Sequence, residues 1–180
     1  RPSFLRLSQR TAKNIRLVPR ALREYGVNPV AWGRWASFRF TRAVSQRKHV
    51  FVVGCPRSGT TLLHAVLATH PEIRSLGHET GFFDSRNILK RNPFRIDPEE
   101  NRRIRAQSRN AVAYFDALID FSVGKGGVFV EKTPQNIFVI DFIRKRWPQS
   151  IIINIVRDGR DCFLSAQRHQ NVVRVFLPLF

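Results

Sequence analysis

A glycine-bearing loop at residues 54–59 holds the residue types best suited to bind an anion. It follows an apolar run at residues 50–53 and precedes apolar residues at helical spacing, which indicates a strand, a turn and a helix. Backbone N–H groups of such a loop point inward, and the helix N-terminus adds positive potential. Gly54 and Gly59 have the spacing of a Walker A loop, but Thr60 stands where that motif has lysine, and the cation is Arg57. A nucleoside triphosphate would lack its phosphate-binding lysine here. The loop is therefore predicted to bind a phosphorylated ligand with a different terminal group.

Two further apolar runs end in side chains that suit the same anion. Residues 128–130 lead to Lys132, and a lysine at the end of a core strand is unusual unless something anionic lies there. Residues 151–156 lead to Arg157, and Ser165 follows eight residues later on a predicted helix. An arginine fork suits a phosphate dianion, and a hydroxyl adds a neutral donor. Glu79 follows a short glycine-bounded segment that should return to the same sheet edge.

Strands that alternate with helices predict an α/β domain with a parallel sheet at residues 50–180. One helix is expected from the loop to about residue 70, and another from Asp97 and Pro98 to about residue 121, because these two residues form a strong helix start. A third is expected at residues 136–146, before Pro148. Residues 1–49 are predicted to form a basic helical N-terminal arm, and the apolar ending at residues 172–180 predicts a fragment that lacks its C-terminal part.

The loop Pro-Arg-Ser-Gly-Thr-Thr at residues 56–61, with the spacing of Lys132, Arg157 and Ser165, resembles the sulfotransferase family. The resemblance is to the branch of tyrosylprotein sulfotransferases and related bacterial enzymes. It implies a P-loop-like three-layer αβα fold and 3'-phosphoadenosine 5'-phosphosulfate (PAPS) as sulfuryl donor, without a metal. The residues that would hold the 5'-phosphosulfate are Arg57, Ser58, Gly59, Thr60, Thr61 and Leu62.

The resemblance also implies catalytic roles. Glu79 would be the general base that takes the acceptor proton, and Arg57 and Lys132 would neutralise charge as the bridging bond breaks. Arg157 and Ser165 would grip the ribose 3'-phosphate. His78 is a second candidate for the base, because a histidine does this work in cytosolic sulfotransferases.

The segment around Glu79 departs from the family pattern. The resembling enzymes have Gly-Glu-Glu-Thr-Arg, whereas this chain has His78 for the first glutamate and Gly81 for the arginine. The missing arginine puts tyrosine-peptide acceptors in doubt. The acceptor, a hydroxyl or an amine, is left open among carbohydrate, lipid, peptide and small molecule.

The net charge of +18 raises the question of nucleic acid, but its distribution argues against it. Residues 1–49 hold 12 Lys/Arg and one acid, and the other 131 residues hold 19 Lys/Arg and 12 acids. Most of the excess therefore lies in the arm, where peripheral contact with an anionic membrane stays open. Two alternatives remain at this point: an ATP-dependent kinase-like enzyme, and a non-catalytic basic module that binds nucleic acid or membrane.

Two cysteines, Cys55 and Cys162, imply no disulfide framework, and a cytoplasmic, reduced location is the plain expectation. No apolar stretch has the length of a transmembrane helix. No signal peptide is visible, although a missing N-terminus would hide one.

Overall fold

A computed structural model of the chain describes residues 41–83 and 92–167. Its centre is a four-stranded parallel sheet in the order β2-β3-β1-β4. The strands are β1 (His49–Gly54), β2 (Ile73–Arg74), β3 (Val128–Lys132) and β4 (Ile151–Ile155). Strand β1 lies between β3 and β4, so the carboxyl ends of these three strands meet at one edge. The predicted parallel α/β sheet is confirmed, and β1 begins one residue before the predicted run.

Within residues 41–83 and 92–167, five α-helices accompany these strands. They are α1 (Thr60–Leu67), α2 (Pro98–Gln107), α3 (Ala111–Val123), α4 (Ile140–Arg146) and α5 (Gly159–Gln167), and a 3₁₀ helix at Pro134–Val139 precedes α4. The predicted start of α2 is confirmed, because the Asp97 carboxylate accepts hydrogen bonds from the backbone N–H groups of Glu99 and Glu100 at 2.8 and 3.1 Å.

The prediction of one continuous helix to about residue 121 was wrong. The chain leaves the helix at Ser108, whose backbone is extended, and α3 starts afresh behind Asn110. The Asn110 side chain accepts hydrogen bonds from Val112 and Ala113, both at 3.0 Å. A second N-cap of this kind offers the backbone an alternative to helix continuation, which apolar periodicity does not reveal. The helix predicted from residue 136 likewise begins as the 3₁₀ turn.

Strands β1 and β3 are buried on both faces of the sheet, whereas β4 is exposed or half-buried. On one face Phe51 packs against Phe115 of α3 and against Trp147, which follows α4. On the other face Val50, Val52 and Val130 form a cluster with Leu63 and Leu67 of α1. Helices therefore cover both sides of the sheet, as the three-layer αβα prediction requires. Residues 1–40 of the predicted arm lie outside the described residues, so the predicted domain boundary stays a prediction.

A largely buried carboxylate secures the amino end of β1, opposite the edge where the strands end. Asp116 of α3 accepts hydrogen bonds from Ser45 Oγ at 2.6 Å, Trp147 Nε1 at 2.9 Å and His49 Nε2 at 3.2 Å. Burial alone would raise the pKa of Asp116, but the hydrogen bonds from these three side chains outweigh it and hold the pKa below its ordinary value. The network therefore stabilises the fold above the ordinary pKa of aspartate.

Asp116→Asn is expected to lower the free energy of unfolding at pH 7 by about 1–3 kcal/mol, because the new NH₂ group must face at least one buried donor. The loss should shrink as the pH falls below the ordinary aspartate pKa of about 3.9 and through the lowered pKa of the folded state. Urea unfolding at a series of pH values measures both effects. Asp120→Asn is the control, since Asp120 is half-buried and pairs with Arg47 at 2.7 Å. Equal losses in the two variants would contradict a special role of Asp116.

Candidate functional site

The loop between β1 and α1 has a backbone that few side chains would tolerate. Gly54 has φ 152°, Arg57 has φ 73° and Gly59, which precedes α1, has φ 106°. A Cβ at Gly54 would lie 2.6 Å from the carbonyl oxygen of Ile155, so glycine is required where the loop leaves the sheet. Gly59 has no side chain to cap α1, which leaves the first N–H groups of the helix open to a ligand.

Two arginines connect this loop to the segment that follows β4. Arg57 Nε donates a hydrogen bond to Ser165 Oγ of α5 at 3.1 Å. Arg157, which follows β4, donates to the carbonyl oxygen of Arg57 at 3.4 Å and lies 3.5 Å from Asp161. The sequence assigned Arg57 to one end of the donor and Arg157 with Ser165 to the other, and the three residues lie together in the structure.

Lys132 and Glu79 form an ion pair where β3 ends. The Lys132 Nζ lies 3.0 Å from Glu79 Oε1 and donates to Thr61 Oγ1 of α1 at 3.4 Å. The Lys132 side chain is only 6% exposed, whereas Glu79 is 44% exposed. The ammonium is therefore nearly buried, while its carboxylate partner reaches solvent. The pair can therefore present a base and a cation to the same ligand.

A cleft of about 670 Å³ adjoins these side chains, within the volume range of ligand sites. It is lined by Pro56, Arg57, Gly59, Thr60, Thr61, Leu62, Ala65, Glu79, Pro134, Gln135, Arg157 and Ser165. Lys132 lies behind Glu79 and Thr61. Eight of the residues predicted for the site line this cleft, and the prediction could not include Pro134 and Gln135, which the 3₁₀ turn contributes.

The Ser58 side chain does not line the cleft. It is buried, and its hydroxyl has no hydrogen-bond partner among the described residues. The Ser58 backbone N–H donates to the carbonyl oxygen of Cys55 at 3.1 Å, which closes the turn of the loop. The Ser58 hydroxyl lies beside Gly54, 3.2 Å from the position that a Cβ at residue 54 would occupy. Ser58 therefore contributes to the shape of the loop from behind.

The two histidines near the site face away from the cleft. His78 Nδ1 lies 3.0 Å from the carbonyl oxygen of Leu76, and its Nε2 lies 3.3 Å from that of Pro93. His64 of α1 is buried, with Nε2 2.7 Å from Ser75 Oγ. Burial lowers the pKa of His64, and the charges of Lys132 and His78 lower it further. The geometry favours Glu79 over His78 as the group that meets an acceptor.

Sequence reasoning missed Glu131, which directly precedes Lys132. The carboxyl is 1% exposed, and burial raises its pKa. It lies opposite Phe51 in the β1–β3 register, on the aromatic face of the sheet. The available signal was its strand position: alternation from Phe129 places residue 131 on the inward face, where an acid needs partners.

The described residues contain neither a cluster of metal-ligating side chains nor a membrane-spanning helix. Within residues 41–83 and 92–167, no group of three or more His, Cys, Asp or Glu side chains could hold a metal ion. In the same ranges no helix combines the length and the apolar character that crossing a membrane requires.

The αβα sheet, the glycine loop before a helix and the cations at three strand ends define a P-loop-like α/β protein with a site for a phosphorylated ligand. The chain belongs to the Sulfotransferase family, whose family model matches residues 49–175. The predicted family is thereby confirmed. The match gives no support to the ATP-dependent or the non-catalytic alternative.

Curated relatives agree with this family. The chain is 30% identical over 119 residues to protein-tyrosine sulfotransferase A of Caenorhabditis elegans, covering 62% of this chain and 30% of the relative. It is 32% identical over 117 residues to protein-tyrosine sulfotransferase 1 of Homo sapiens and of Danio rerio, covering 62% of this chain and 31% and 33% of those proteins. The chain thus spans about a third of the length of these relatives.

Proposed function

We propose that the chain carries the donor site and the catalytic pair of a sulfotransferase that moves a sulfuryl group from PAPS to an acceptor hydroxyl or amine. The observation that carries the proposal is the Lys132–Glu79 ion pair at 3.0 Å beside a cleft that Arg57 and Arg157 also line. Family membership supports the class of reaction.

The residues present fit a donor with two anionic ends. The open N–H groups of α1 and the Arg57 guanidinium suit the 5' end, because an anion at a helix N-terminus is favoured by the dipole and by free donors. Arg157 and Ser165 line the same cleft, in contact with Arg57, and suit the 3'-phosphate. Gly54 supports the fit, since its missing Cβ lets the loop turn tightly at the end of β1. When bound, the donor supplies the sulfuryl group and a bisphosphate leaving group.

Glu79 and Lys132 have separable roles in this scheme. The half-exposed Glu79 carboxylate faces the cleft and takes the proton from the acceptor O–H or N–H. The Lys132 ammonium stabilises the negative charge that develops on the leaving phosphate, and Arg57 adds a second cation on the loop. Thr61 Oγ1, which accepts a hydrogen bond from Lys132, keeps the ammonium near the helix N-terminus.

The acceptor is proposed only as a class. The relatives named above are protein-tyrosine sulfotransferases, so a phenolic hydroxyl in a protein is one candidate. Gly81 stands where the resembling enzymes have an arginine, and residues 84–91, the next stretch of chain, lie outside the described residues. We therefore propose a hydroxyl or amine acceptor as a class, with tyrosine peptides as one of several compound classes to screen.

Calorimetry should detect binding of 3'-phosphoadenosine 5'-phosphate, with ATP binding more weakly. Arg157→Ala is expected to weaken the bisphosphate by about 10- to 100-fold, because a charge-assisted hydrogen bond contributes about 1.5–3 kcal/mol. Arg160→Ala is the matched control, since Arg160 is exposed and pairs with Asp158 at 2.7 Å. Circular dichroism verifies folding first. Equal affinity for ATP, or equal losses in both variants, would contradict the donor assignment.

A further inference from the structure

Glu131 is a charged residue in an aromatic layer. It lies on β3 opposite Phe51, 1% exposed, on the same face as Phe129 and away from Lys132. A carboxyl in such a place costs free energy unless hydrogen bonds satisfy it. The hydrogen-bond donors of the Glu131 carboxyl therefore indicate its role in the structure.

Three side chains donate to the Glu131 carboxyl. Thr80 Oγ1 and Thr133 Oγ1 donate to Oε1 at 2.7 and 2.6 Å, and Asn136 Nδ2 donates to Oε2 at 2.5 Å. The two hydroxyls also accept backbone hydrogen bonds, Thr133 from Gly81 N at 3.1 Å and Thr80 from Phe82 N at 3.2 Å. Each hydroxyl therefore has a fixed direction of donation.

Each of these donors is the immediate neighbour of a residue at the cleft. Thr80 follows Glu79, Thr133 lies between Lys132 and the cleft residue Pro134, and Asn136 follows Gln135. Glu79 lies on a loop without secondary structure, whereas Lys132 ends a central strand. The Thr80 hydroxyl thus joins the loop that carries Glu79 to strand β3, which carries Lys132, through the single carboxylate of Glu131.

We propose that Glu131 is a positioning residue, which fixes the Glu79 carboxylate against the Lys132 ammonium by holding Thr80 and Thr133 on one oxygen. The inference rests on the proposed function for the chemistry that the pair performs. Glu131 itself does not line the cleft and touches no substrate. Glu131 contributes by fixing the distance between the base and the cation. The rate of transfer depends more steeply on this distance than the affinity for the donor does.

Thr80→Val tests this link, because it removes the hydroxyl and preserves the shape. The kcat for sulfuryl transfer is expected to fall by about 100-fold, the cost of a misplacement of about 1 Å. The dissociation constant of 3'-phosphoadenosine 5'-phosphate should stay unchanged. Thr80→Ser keeps the hydroxyl and should recover most of the rate. Thr69→Val is the matched control, since the Thr69 hydroxyl donates to the backbone of Val66 at 2.8 Å, remote from Glu131.

A second readout does not need turnover. The Gly81 amide donates to Thr133, which the Thr80 substitution leaves in place, so its hydrogen exchange reports whether the loop still lies against β3. Exchange should speed up in Thr80→Val and in Glu131→Met, and stay at the parent rate in Thr69→Val. Glu131→Met keeps a similar side-chain length but removes both acceptor oxygens, so it serves where Thr80→Val does not fold.

The outcomes separate the two proposals. A parent protein that transfers no sulfuryl group counts against the proposed function, and the Gly81 exchange then decides the positioning role alone. Unchanged exchange in both Thr80→Val and Glu131→Met overturns the positioning role. So does a Thr80→Ser variant as slow as Thr80→Val, or a rate loss matched by an equal loss of bisphosphate affinity.

Discussion

Glu79→Gln is expected to lower the rate of sulfuryl transfer by about 10²- to 10⁴-fold, the usual contribution of a general base. The amide cannot take the acceptor proton, although it keeps the size of the carboxylate. Affinity for 3'-phosphoadenosine 5'-phosphate should be kept or rise, because the Lys132 ammonium loses the Glu79 carboxylate, its partner at 3.0 Å, and can turn to the ligand. Steady-state kinetics together with calorimetry separate the two effects.

Two companion variants make the result specific. Glu72→Gln changes an exposed carboxylate on the segment before β2 and should leave transfer unchanged. His78→Asn tests the second candidate base. Since both His78 ring nitrogens lie against backbone carbonyls, we expect a small effect on kcat. A loss in His78→Asn as large as that in Glu79→Gln would reverse the assignment of the base.

Gly54→Ala is expected to have the largest effect on stability. The new Cβ would meet the Ile155 carbonyl oxygen at 2.6 Å, at a φ of +152° where side chains are rare. Backbone strain alone costs about 1–3 kcal/mol, and the contact must also push β1 away from β4. The free energy of unfolding, measured with urea, should fall by more than this strain, and bisphosphate affinity should fall with it because the loop begins at Gly54.

Gly124→Ala separates strain from contact. Gly124 follows α3 with φ +83°, and no atom lies within 4 Å of a Cβ placed there. The free energy of unfolding of Gly124→Ala should therefore fall only by the backbone strain, and its affinity for the bisphosphate should be kept. A Gly54→Ala variant no less stable than Gly124→Ala would show that the sheet edge yields to the added methyl group.

The strand ends were predictable because a few short-range signals agreed. The apolar runs that became β1, β3 and β4 are bounded by glycine or by charge, and parallel strands end at a common edge. Arg57, Lys132 and Arg157 could thus be assigned to one site before any coordinates were known. The helix start at Asp97 was equally predictable, because an aspartate followed by a proline is typical of an N-cap and the first helical position.

Contacts between distant segments were not predictable in the same way. The break between α2 and α3 depends on whether Asn110 caps a helix or continues one, and composition suits both. The bond from Arg57 to Ser165 joins residues 108 positions apart. Glu131 was missed because one of its three donors, Thr80, lies 51 positions away, and its meeting with the nearby Thr133 and Asn136 is a property of the folded sheet.

Arg57 has a left-handed backbone, with φ 73°, at a position where glycine or asparagine would be comfortable. Such a conformation costs a residue with a Cβ about 1–2 kcal/mol. Variants selected for heat resistance alone would therefore drift to glycine at position 57 and lose the guanidinium. Variants selected for turnover would keep the arginine, so the two kinds of selection pull this residue in opposite directions.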